Sequence, residues 1–258
     1  MVADWQLPPG VNRGLWDYFH DPAIARSYDA GLADCRLLTI DQEFALRHFP
    51  RSGRLLDLGC GTGRLLIPFA QRGFWTVGVD LSGEMLKVAG EKAAATGVAI
   101  HRICANLVDL SGLCDGAFDY AACLFSTVGM VMGSASRRRV LEHVFRLLRP
   151  GGKFVLHVHN RWFNLWNRDT RRWLLKDCIR SLVRSSSAGD HVMPTHQGIA
   201  GLTLHLFTRR EIVRLLRSVG FRIVEVKPIS LRADGKLIWP LWFGRLRAYG
   251  YLLAAMKP

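Results

Sequence analysis

Leu55-Leu56-Asp57-Leu58-Gly59-Cys60-Gly61-Thr62-Gly63-Arg64 is the stretch on which the fold turns. It completes a short apolar run over residues 53–58, which suits a parallel strand buried on both faces. It then places glycine at alternate positions, where the backbone can turn tightly and approach a ligand that a Cβ would repel. Two details narrow the ligand. The dinucleotide fingerprint needs glycine at relative positions 1, 3 and 6, and the sixth position is Arg64. Asp57, just before the turn, would repel a pyrophosphate and suits an ammonium group.

Outward from this loop, strand and helix patterns alternate. A helix is expected from near Thr62, carrying Leu65, Leu66, Ile67 and Phe69, then a strand over 75–80 and a helix over 83–95. Further strands are expected over 98–106 and 118–126, and a helix over 136–148 places Val140, Leu141, Val144 and Phe145 on one side. Pro150-Gly151-Gly152 stops that helix before a fifth strand over 153–159. Thr208-Arg209-Arg210-Glu211 is a capping box that opens a helix closed by Gly220. Runs at 221–229 and 249–256 close the pattern as a strand pair. Such alternation implies right-handed crossovers and a doubly wound sheet, with ligands beyond the C-terminal strand edge.

Asp80 ends the second strand, where a carboxylate can accept both hydroxyls of a ribose. A glycine turn, an acid for an ammonium and an acid for a ribose describe an amino-acid-bearing nucleoside, S-adenosylmethionine (SAM). Over residues 53–160 the chain resembles the class I SAM-dependent methyltransferases. Asp57-Leu58-Gly59-Cys60-Gly61-Thr62-Gly63 is similar to the family's first motif. Asp80-Leu81-Ser82 with Met85-Leu86 is similar to its second, and Leu148-Arg149-Pro150-Gly151-Gly152 to the segment before its fifth strand.

The resemblance implies an α/β fold: a doubly wound, mostly parallel seven-stranded Rossmann-like sheet with helices on both faces. It implies one methyltransferase domain over 1–258, with a helical cover (1–50), a SAM-binding core (51–160), a basic aromatic insertion (161–207) and a closing helix and strand pair (208–258). It also implies site roles. The loop of Asp57, Gly59, Cys60, Gly61 and Gly63 would line the methionine moiety, Asp80 would hold the ribose, and Leu81 would pack on adenine. Ala105-Asn106-Leu107 stands where the family often has an acid for the adenine amino group, and the Asn106 oxygen can still accept a hydrogen bond. Leu124 and Phe125 would close the site. Tyr28, in Ala25-Arg26-Ser27-Tyr28-Asp29, resembles the Tyr-Asp segment that folds over the methionine end.

The acceptor is less legible. The acid-or-Asn, Pro-Pro-aromatic signature of base amino methylation is replaced by Phe125-Ser126-Thr127-Val128-Gly129. Cys123 follows Ala122 and reads as a small core residue, not a nucleophile for pyrimidine carbon five. DNA is therefore not an expected partner. On the fifth strand, alternation puts His157 and His159 on one face, near the cofactor methyl, where a histidine could take a proton from a hydroxyl or ammonium. Asn160 could orient the acceptor. His157 and His159 with His191 or His196 could instead hold a metal, although no carboxylate or cysteine sits at ligand spacing.

Charge separates the chain. Residues 1–150 hold 16 Lys+Arg against 15 Asp+Glu, and residues 151–258 hold 19 against 6. From 161 to 184, seven basic residues interleave with Trp162, Phe163, Trp166 and Trp173, and 237–243 adds a second aromatic cluster beside Arg245 and Arg247. This half, 161–247, suits an anionic membrane surface or unpaired RNA, or a lid whose charges are simply solvated. The six cysteines are scattered without a C-x-x-C pair, no apolar run reaches spanning length, and Met1-Val2-Ala3-Asp4-Trp5 lacks a signal-peptide layout. The expected location is cytoplasmic, with peripheral membrane contact as an option. The expected activity is methyl transfer to an oxygen or nitrogen of a small or lipid-like acceptor. RNA methylation, a SAM-binding module without turnover and a nicotinamide oxidoreductase stand as alternatives, the last opposed by Arg64.

Overall fold

The computed structural model describes residues 3–166, 168–183, 185, 187–193, 201–232, 234–237 and 242–258. A 3-10 turn (Asp4–Gln6) precedes three helices, α1 (Arg13–His20), α2 (Pro22–Gly31) and α3 (Arg36–His48). Strands and helices then alternate: β1 (Arg54–Leu58), α4 (Leu66–Ala70), β2 (Trp75–Asp80), α5 (Gly83–Ala95), β3 (His101–Cys104) and β4 (Phe118–Cys123). They continue through α6 (Thr127–Met130), α7 (Ser134–Leu147) and β5 (Leu148–His159). The insertion contributes a 3-10 segment (Arg161–Trp166), α8 (Arg168–Leu182), β6 (Asp190–Val192) and β7 (Thr203–His205). α9 (Arg209–Val219), β8 (Arg222–Ile229), α10 (Gly244–Arg247) and β9 (Gly250–Met256) complete the order.

The main sheet has seven strands in the order β3-β2-β1-β4-β5-β9-β8, and β9 alone runs antiparallel to its neighbours. The winding reverses between β1 and β4, which places the loop after β1 at the switch point. Successive β1 residues serve opposite faces. Leu56 and Leu58 join the core formed with α7 and α9, and Leu55 joins the one formed with α3 and α4.

Helix α4 begins later than its apolar pattern suggests. Gly61 (φ 52°) and Gly63 (φ 80°) are left-handed, so helical backbone cannot start until the chain has passed them. The third strand is short, His101–Cys104, as befits an exposed edge. The fifth strand starts at Leu148, not at 153, because Gly151 and Gly152 bond to Lys257 across a register shift opposite Phe118/Tyr120. The N-terminal 50 residues are more than a cover. On α3, Leu37, Ile40, Phe44 and Ala45 form one whole side of the sheet's second core. α1 and α2 alone form the cover, packing Leu15, Tyr18 and Ile24 on Met85 of α5. The insertion also holds an antiparallel pair, β6 with β7, that no sequence pattern announced. Of the aromatic cluster at 237–243, residues 238–241 lie outside the described residues, as does His196.

Candidate active site

Glycines 59 and 61 shape the loop after β1. A Cβ on Gly59 would fall 2.3 Å from Thr127 Cγ2, while one on Gly61 would meet only Tyr28 Cε1, at 3.8 Å. The first glycine thus admits α6, and the second leaves open space on the ligand side. Gly63 faces neither; a Cβ there would fall 3.2 Å from the Ala89 Cβ of α5. The Gly61 N–H donates to Asp80 Oδ2 (2.8 Å) and the Ser82 N–H to Asp80 Oδ1 (2.9 Å), so the two strand tips are joined. Ser82 caps α5 through Met85 N and donates to Phe19 O (2.6 Å), tying the cover to this edge.

A cavity of about 490 Å³ opens here. It is bordered by Asp57, Gly59, Gly61, Asp80 and Leu81, with Cys60, Asn106 and Leu107, and also by Leu38, Asp41, Arg64, Phe125, His159 and Tyr249. Tyr28 and Leu124 also border it. The cover supplies Leu15 and Tyr18, and the β6–β7 hairpin supplies Leu202 and Leu204, so α1, α2 and the insertion close the same hollow.

Burial dominates the electrostatics. Asp57 is 4% exposed and borders the cavity. Burial, reinforced by the nearby Asp80 charge and only partly offset by Arg64, pushes its carboxyl up to about 7. Burial also raises Asp80, against the pull of the Ser82, Gly61 and Leu81 amides. A buried acid facing a cavity suits a ligand cation, and the ammonium of SAM fits that requirement. Asp80, with its neighbouring amides, suits a ribose.

The remaining expected residues divide. Asn106 borders the cavity, but its Nδ2 donates to Pro9 O and its Oδ1 accepts from Val108 N, leaving one lone pair for a ligand. Ala105 is turned away, its N–H bonded to Asp80 O. Asp29, next to Tyr28, accepts from Thr62 Oγ1 and Lys92 Nζ, both at 2.6 Å, and thereby pins α2 on the loop. Arg64 lies over the rings of Tyr28 and Phe125 at 5.7 and 5.5 Å.

His159 borders the cavity, with its ring among Phe125, His157 and Tyr249. Burial and then His157 pull its imidazole down to about 3, and its buried Nε2 has no hydrogen-bond partner. His157 and Asn160 do not border the cavity. His157 is fully buried behind the wall, with Nδ1 2.8 and 3.0 Å from the two Asp41 oxygens. Asn160 spends its amide on Arg245 O and Ala248 O and its oxygen on Trp162 N, which makes it a bracket for the chain after β5. His191 packs on Trp173, away from both.

Sequence reasoning missed Asp41. It borders the cavity from α3, binds His157 and accepts from Phe125 N at 3.3 Å. Phe125 (φ 51°) and Ser126 (φ 62°) are both left-handed without being glycine, a strained elbow held by Asp41 and by the Ser126 N–H bond to His157 O. No local sequence signal marks Asp41, because only the packing of α3 against β5 brings it there.

Residues 55–152 match the family described as a methyltransferase domain. A methyltransferase of Geobacillus sp. (strain WCH70) is 33% identical over 119 residues, 45% of this chain and 47% of the relative. A ubiquinone biosynthesis O-methyltransferase of Idiomarina loihiensis is 32% identical over 122 residues, 47% of this chain and 46% of the relative. The chain thus spans about half the length of the curated relatives it matches. The solved 1,6-didemethyltoxoflavin-N1-methyltransferase of Burkholderia thailandensis, with S-adenosylhomocysteine bound, shares the fold. It aligns with a TM-score of 0.64 at 18% identity, covering 100% of this chain and 91% of that one. With the motifs in the matched segment and the loop at the sheet's switch point, residues 55–152 form a SAM-dependent methyltransferase domain.

Proposed function

We propose that the chain transfers a methyl group from SAM to an oxygen of a small or lipid-like acceptor held beside His159 in the cavity. One observation carries this reading: a single hollow borders both the Asp57–Asp80 pair and His159. Bound SAM supplies a methyl on a sulfonium, an electrophile that departs from a neutral thioether. The chain's own residues bind, orient and exclude water. Asp80 would accept the ribose hydroxyls, Asp57 would face the ammonium, and the open side of Gly61 leaves room for the amino-acid chain. Leu81 and Leu107 would flank the base.

On the acceptor side, Leu38, Phe125 and Tyr249 offer an apolar, partly aromatic wall. His159 is neutral at ordinary pH, so its ring on the cavity wall can orient a hydroxyl acceptor, whose proton passes to water because an imidazole held near 3 does not keep it. Holding the two reactants in line supplies much of the acceleration. Oxygen is preferred because Asp41, on the same cavity as His159, is already committed to His157 and Phe125 N and so is not offered to an ammonium acceptor. The name of the Idiomarina relative, an O-methyltransferase, agrees with this choice.

Isothermal titration with SAM tests the cofactor half. Wild type should bind, and Asp80→Ala should weaken binding at least about tenfold. Incubation with labelled SAM and fractionated lysate tests the acceptor half. Label in hydroxylated, solvent-extractable compounds supports the reading, and label confined to RNA or protein overturns it.

A further inference from the structure

We propose that the outer face of α8, together with the exposed aromatics ahead of α10, docks on an anionic lipid surface. The inner face of α8 fixes its orientation. Leu174 and Asp177 are buried, Asp177 pairs with Arg161 Nε at 2.6 Å, and it accepts from Gly189 N at 2.8 Å. The outer face is therefore a defined surface. Leu175, Ile179 and Leu182 stand at helical spacing along it and are 68%, 62% and 83% exposed. Arg172, Lys176 and Arg180 flank that stripe, and no carboxylate among the described residues pairs with any of them.

A second apolar group continues the surface. Trp166 Nε1 donates to Leu246 O at 2.9 Å, which fixes the half-exposed indole on α10, and Trp242 and Phe243 are exposed beside Arg245. Unpaired cations framing an aliphatic stripe match a headgroup layer. The charges meet lipid phosphates while the stripe enters the acyl boundary, and tryptophan suits the same depth. A purely solvated face would not carry the stripe. Unpaired nucleic acid would use the rings and the cations but leave the aliphatic stripe uncovered, because its bases stack on rings.

The position of the face adds to this. Phe163, in the segment that carries Trp166, packs on Tyr249 with ring centres 5.1 Å apart, and Tyr249 borders the cavity. The segment that carries Trp166 thus reaches the cavity wall through Phe163 and Tyr249, although lipid binding itself requires no methyl transfer.

Vesicle co-sedimentation tests the proposal, with phosphatidylcholine vesicles with and without phosphatidylglycerol. The variants are L175S/I179S/L182S, which keeps every charge, and R172Q/K176Q/R180Q, which keeps the stripe. Thermal melting by circular dichroism reports folding of each, independently of SAM. Wild type should prefer the anionic vesicles, and each triple variant, melting like wild type, should lose about tenfold or more of that affinity. Three results would overturn the proposal: no binding of wild type to anionic vesicles, undiminished binding by the serine variant, or retention of a single-stranded RNA oligonucleotide in preference to the vesicles.

Discussion

Asp57 is held in a state that suits a ligand better than it suits the free protein. Its carboxyl titrates near 7 when folded, against 3.8 for the ordinary side chain. The folded chain therefore keeps a proton that the unfolded chain has released. Stability is full below the unfolded value and declines as pH rises from 3.8 toward about 7. At about 1.4 kcal/mol per tenfold change in proton affinity, the loss is about 4 kcal/mol. Asp57→Asn carries no such charge. It should melt above wild type at about pH 8, with the difference closing near pH 4. The same variant should lose SAM affinity. In wild type that affinity should fall about tenfold between pH 8 and pH 6, because the ligand's ammonium selects the ionised acid. Calorimetry across pH checks both, and melting temperatures that coincide at every pH would refute the account. His159 behaves oppositely. With its imidazole titrating near 3, it should impose no inflection on the rate across neutral pH. His159→Ala should lower kcat about tenfold through lost acceptor positioning, with SAM affinity unchanged, read from steady-state kinetics beside a SAM titration.

Among the elements, the β6–β7 hairpin forms a wall of the cavity, yet its strands are only three residues long. What holds it is a charge chain centred on the buried His205. His205 Nδ1 lies 2.6 Å from Asp190 Oδ1, its Nε2 lies 2.7 Å from Glu211 Oε1, and Arg137 reaches Asp190 from α7. Burial lowers the His205 pKa, but the hydrogen bonds to Asp190 and Glu211 outweigh it and the net shift is upward. A raised histidine stabilises below its unfolded pKa, and that contribution is lost as pH climbs through the folded one. Amide exchange of β6 and β7 should therefore quicken at alkaline pH, and His205→Gln should show the quickened rate already near neutrality. Glu211 was legible in the sequence as the partner of Thr208 in a capping box, and both halves of that box are formed. Its second role toward His205 was not legible, since it needs the insertion to fold back over α9. The same contrast recurs elsewhere. β2 and α5 have the expected ends because their periodicity is local. The hairpin and the wall residue Asp41 were invisible because tertiary packing alone assembles them.

For the whole molecule, the division of labour at the N-terminus is what most needs a test. Read as sequence, residues 1–50 form one helical cover, but the packing splits them. α1 and α2 lie over the cavity in a satellite cluster with Met85 and Leu202. α3 lies on the far face of the sheet, where Ile40, Phe44 and Ala45 meet Leu55, Val155 and Leu252. Fully burying a large apolar side chain contributes about 1.5–3 kcal/mol, and domains of this size retain only about 5–15 kcal/mol in all. Losing Leu37, Ile40 and Phe44 together, and baring the strand residues beneath them, would consume most of that margin. Removing α1 and α2 exposes mainly the cavity. Deleting residues 3–31 should thus leave a cooperative melt by circular dichroism with SAM binding lost, because Tyr18, Tyr28 and the Phe19–Ser82 bond go with them. Deleting residues 3–48 should abolish the cooperative melt altogether. If the longer deletion still melts like the shorter one, α3 is cover after all and the two-sided core collapses to one side.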